Sequence, residues 1–155
     1  MSSCRGLVNH SLYCARVLLE AWQRDREAQH FGASVLQDTY QPALKHHLGR
    51  AYGYLLLEGA GQADAPKQPP ASLSELPEPA QGKVLPQTVQ AMAREESGVL
   101  QPLYASLDVQ AMGGARAHTV SLAAESQGPD HRDWHAAYRF LQSSASAIRD
   151  VLDEC

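Results

Sequence analysis

Apolar residues recur near the start of the chain as Val8, Leu12, Ala15, Leu19 and Trp22, at steps of four, three, four and three. That is the stripe of an amphipathic helix, and it predicts one from about Asn9 to Gln29. The opposite face carries Arg16, Glu20, Gln23, Arg24 and Glu27, with Glu20 and Arg24 spaced for an (i, i+4) ion pair. Phe31-Gly32 marks the break, because glycine inside a helix costs about 1 kcal/mol relative to alanine. A second stripe, Leu36, Tyr40, Leu44, Leu48 (or His47), Ala51 and Leu55, predicts a helix from about Ser34 to Glu58. Pro42 interrupts it, and predicts a kink or a restart there.

From Gly59 to Pro86 the pattern changes to prolines with few apolar residues, which predicts a long connection rather than a packed element. Ser72-Leu73-Ser74-Glu75 has capping-box spacing and predicts one short helical turn within it. The connection is either a plain link between helical hairpins or a strap read by a partner. Val89 and Met92 mark a third element over about Gln87 to Arg94, and Val99, Leu100, Leu103, Tyr104 and Leu107 follow after Ser97, which together predict one helix or two. Ala115 to Gly128 carries no stripe and reads as loop. The last helix is the clearest, with Asp130 as N-cap and Trp134, Tyr138, Leu141, Ala145, Ile148 and Leu152 on one face. No alternating β-branched run is long enough for a strand. The expectation is an all-α fold, a helical bundle of about four main helices forming a single domain over residues 1–155, with the Pro-rich crossover connection at about 59–86.

Composition agrees with a globular chain: 155 residues, 44% hydrophobic and 19% charged. A net charge of −4 gives no broad positive field, and no basic run is visible, so nucleic acid is not expected as a partner. Arg5, Asn9, His10 and Arg16 break up the early apolar stretch, so it does not resemble a secretory signal. Tyr52 to Leu57 is far shorter than the ~20 residues that cross a bilayer. With three cysteines and no C-x-x-C pair, a cytoplasmic, reducing location is expected. Cys14 reads as a small buried residue beside the first stripe, and Cys4 and Cys155 as exposed termini.

Candidate chemistry rests on the seven histidines. His131 and His135, at (i, i+4) in the last helix, can aim two imidazoles at one ion, and His47 of the second helix is the candidate third ligand for zinc, nickel or a similar divalent metal. This arrangement is similar to the metal site of DinB-like four-helix proteins, which pair a histidine of the second helix with a later H-x-x-x-H. In that family another helix follows the pair, whereas here the pair opens the final helix. The ordinary alternative is that these are solvated or core-edge histidines. Arg24 to His30 and Arg5 to His10 match the R-x(4–6)-H spacing of HEPN-type ribonucleases, although neither opens the last helix. No nucleophile elbow, phosphate-cradling P-loop or dinucleotide fingerprint is present.

The run from Asn9 to Leu19 resembles the N-x-x-L-Y-x-A-R opening of an uncharacterised family of small all-helical bacterial proteins, found mainly in pseudomonads. His47-Leu48-Gly49-Arg50-Ala51-Tyr52 resembles that family's H-L-x-x-A-Y, and Ser97 to Leu107 continues the similarity. The resemblance implies an all-helical fold and no established activity. The sequence therefore favours a non-enzymatic protein acting through protein–protein contact or self-association, with a homodimer as the expected form of the latter.

Overall fold

The computed structural model describes residues 2–79, 81–107 and 128–154. Helix α1 spans Cys4–Ala28, α2 Ala33–Gly59, α3 Gln87–Arg94 and α4 His131–Asp153, with short 3-10 turns at Leu73–Glu75, Glu95–Ser97 and Gln101–Tyr104. The fold is all-α, as the stripes predict, and the one β-type pairing among the described residues is an isolated bridge between Ser3 and Asp64. No helix among the described residues is long and apolar enough to cross a membrane. The expected loop at Ala115 to Gly128 falls, up to its last residue, outside the described residues.

Each stripe faces one hydrophobic cluster. Val8, Leu12, Ala15, Leu19 and Trp22 of α1 are buried together with Leu44, Leu48 and Leu55 of α2 and Trp134, Leu141 and Ile148 of α4. Helix α1 starts five residues before the predicted Asn9, because the Ser3 hydroxyl caps it by accepting from the Gly6 N–H at 3.1 Å. That extra turn adds Cys4 to the core at 3% exposure, which corrects the expectation of an exposed terminal thiol. The helix ends at Gln29, whose left-handed backbone (φ 55°) closes the last turn. Glu20 pairs with Arg16 at 2.8 Å rather than with Arg24.

Helix α2 runs through Pro42 without a break. The proline lies on the exposed side, so the core need not accommodate its ring. From Ala51 to Gly59 every residue of α2 is buried and the helical period disappears, because α1, α3, α4 and the proline-rich connection all lie against it. Two glycines allow that approach. A Cβ on Gly53 would collide with the carbonyl oxygen of Pro70, and one on Gly59 with the Val89 side chain of α3.

The connection is largely exposed, as expected of a link, but it is tied to the bundle as a strap at several points. The Tyr54 hydroxyl donates to the Pro66 carbonyl at 2.8 Å, and the Tyr104 hydroxyl to the Ala71 carbonyl at 2.6 Å. Glu96 accepts both the Tyr52 hydroxyl and the Leu73 N–H through one carboxylate oxygen. Burial, then the Glu96 contact, pushes the Tyr52 phenol far above its ordinary range, so it stays a donor. The expected turn forms at Leu73–Glu75, but Glu75 accepts from the Ala71 N–H at 2.8 Å instead of closing a capping box on Ser72.

Candidate functional site

Helices α1 and α4 pack antiparallel, with Arg5 beside Asp153 at one end and Leu19 beside His131 at the other. Toward the His131 end they border a groove of about 970 Å³. The α1 wall carries Arg16, Glu20, Arg24 and Arg26, and the α4 wall carries Asp130, His131, Arg132, His135 and Arg139, with Leu19 and Tyr138 among the lining. Both walls follow from the helical repeat: the buried stripes turn inward, which leaves these polar positions along the seam.

The groove is strongly one-sided in charge. Five of the chain's 13 basic residues line it, against two of its 17 acidic ones. The two carboxylates already have partners: Glu20 holds Arg16, and Asp130 caps α4 by accepting from the Asp133 N–H at 3.1 Å, in a capping box whose other half is the Asp133 carboxylate. Ion pairs among the described residues engage Arg5, Arg16 and Arg149, so Arg24, Arg132 and Arg139 stand exposed with no carboxylate at pairing distance.

His131 and His135 meet at this seam, their rings stacked with centroids 6.0 Å apart. The His131 ring also stands edge-on to Trp22 at 5.2 Å, with Nε2 3.1 Å from the Leu19 carbonyl oxygen. Desolvation, then Arg139 and His131, hold His135 below the ordinary histidine pKa, which favours its neutral form. His47 does not join them. It lies half-buried on α2 beside His46, with ring centroids 5.1 Å apart, and it feels His46, His10 and Arg50. Among the described residues no three His, Cys, Asp or Glu side chains converge as a metal site. His47 is thus not grouped with His131 and His135 among the described residues, and it stands near enough to His10 of α1 to feel its charge.

The arginine–histidine spacings separate as well. Arg24 lines the groove while His30 is not part of the lining, and Arg5 is committed to Glu58 and Asp153. His10 lies instead 3.7 Å from the sulfur of Cys14, which is half-buried rather than buried as its place beside the stripe suggests. A second cavity of about 500 Å³ lies between the Gln101–Tyr104 turn and the start of α4. Its one charged lining residue, Asp133, is engaged in the helix cap.

Opposite in character is the cluster at the other end of the seam. Glu58, at the buried end of α2, accepts Arg5 Nε at 3.0 Å and both Nε and a terminal nitrogen of Arg149 at 2.9 and 3.2 Å. Arg5 also reaches Asp153 at 3.3 Å. This clamp ties α1, α2 and α4 together, and sequence reasoning missed it. Its signal was a glutamate inside an otherwise apolar run.

Fold and site thus define an all-α protein with a basic, histidine-bearing groove between its first and last long helices. The chain belongs to a family of unknown function, DUF6586, which matches residues 1–155. No curated protein matches the chain, and no solved structure does.

Proposed function

We propose that the protein works by contact rather than by turnover, binding another protein or a second copy of itself, and that the groove between α1 and α4 is the contact face. The observation that carries this reading is the set of exposed, unpaired arginines facing one another across the groove. Exposed arginines are usually a solvated face, but here they are gathered on both walls of one concavity in a chain whose net charge is negative. Arginine is also among the residues that most often anchor interfaces. Tyr13 and Val17, exposed on the outer side of α1, extend apolar surface beside the Arg16 wall.

A photoreactive residue placed at Gln23 or Gln142, uncharged positions of the groove lining, tests the reading in cells. Adducts with a protein partner or with a second copy at these positions, and none from the exposed Val84 of the strap, are the expected result. Equal labelling from both places would remove the groove from consideration.

A further inference from the structure

The groove's chemistry narrows what can fill it, granted the reading that it is the contact face. Arg24, Arg132 and Arg139 offer planar forks with no internal carboxylate, and the fork geometry matches carboxylate or phosphate oxygens in pairs. His131 and His135 add imidazoles to the α4 wall. We infer that the groove's occupant is an acidic polypeptide segment, a short stretch of aspartate and glutamate side chains presented by a partner protein.

Charge distribution separates this from a nucleic acid. The groove has five arginines against two carboxylates, yet the whole chain has a net charge of −4, so the residues outside the groove sum to a net negative charge. A nucleic acid strand carries a charge about every 3.4 Å and would run past the groove onto like charge. A short acidic segment ends where the positive field ends. Tyr138, partly exposed in the lining, gives the methylenes of glutamate an apolar surface to lie against, whereas Leu19 and Trp22 are buried.

The test uses the full chain and three labelled probes of similar length followed by fluorescence anisotropy: a peptide alternating glutamate and glycine, the same peptide with glutamine for glutamate, and an oligothymidylate. The glutamate peptide should bind, the glutamine peptide should not, and affinity should fall by about tenfold or more as salt rises from about 50 to 200 mM. Arg24→Glu with Arg139→Glu should abolish binding while the circular dichroism melt is kept, and Lys83→Glu on the strap should change it little. Binding of the oligothymidylate in place of the glutamate peptide would overturn the inference in favour of nucleic acid. No binding of either probe, with cross-linking from Gln23 still specific, would overturn the acidic occupant and leave the contact reading standing. Equal losses in the groove and Lys83 variants would show only diffuse attraction and overturn it too.

Discussion

Two sets of arginines lie along the same pair of helices and do opposite things. At one end, Arg5 and Arg149 close on Glu58, a carboxylate only 8% exposed. At the other, Arg24, Arg132 and Arg139 lie exposed around the groove without acidic partners. A carboxylate taken out of water must be paired, so the clamp arginines are fixed as a condition of folding. The groove arginines remain exposed to water in the folded state, with their forks unengaged by any carboxylate among the described residues. On the proposed reading, stability and recognition sit at opposite ends of one seam.

The comparison breaks most visibly at Glu58. Glu58→Ala leaves Arg149 partly buried beside Arg5, and should cost about 3 kcal/mol in chemical denaturation, the lower part of the range for a broken buried pair because Arg5 is half-exposed. If the loss proved no larger than for an ordinary surface change, the clamp would be an ornament of the fold. Arg149→Lys keeps the charge but forfeits the two-pronged contact, and a loss of roughly 1 kcal/mol should appear in the same measurement.

Acid sharpens the contrast next. Desolvation holds both His135 and His47 below the ordinary value of 6.5, with Arg139 and His131 adding to it for His135 and His46 and His10 for His47. The unfolded chain then binds more protons in the window just below 6.5, so stability is full above that value and declines as pH falls through the window. Melting temperatures at neutral and mildly acid pH should show the decline, and His47→Gln with His135→Gln should flatten it. Smallest is the stability effect at the groove itself, where Arg139→Gln should change unfolding free energy by no more than about 0.5 kcal/mol. The same substitution removes a repelling cation from His135, whose NMR titration midpoint should move up toward the ordinary value.

How far the sequence could be read depends on how many sides of each element are covered. Helices α1 and α4 bury one face each, and Val8 to Trp22 and Trp134 to Ile148 could be picked out by spacing alone. The second half of α2 is covered on all sides, so its period is erased and the partners of Tyr52, Tyr54 and Glu58 were not visible. Prolines at 66, 69 and 70 look like a link, yet Gly53 inside a helix was the one local hint that another backbone lies against it. Two buried glutamines, Gln37 and Gln41, both donate to the Pro129 carbonyl at 2.6 Å and fix the entry to α4, with no pattern to announce them. The groove stayed hidden for a similar reason. Its arginines form no run, because they belong to helices that meet only through folding. His131 and His135 were legible as neighbours on one helix, whereas the side to which His47 turns is set by tertiary packing.

The strap carries a consequence for how the native protein meets a protease. Its first half is pinned, with Pro70 buried against Gly53 and the Pro66 carbonyl held by Tyr54, while Gln81 to Val84 lie open to solvent. A cleaving enzyme must draw an extended stretch of backbone into its own cleft, and only the open half can be lent without disturbing α2. Trypsin should accordingly nick after Lys83 well before Lys67, and the cut chain should stay together, held across the break by the core that both of its pieces share.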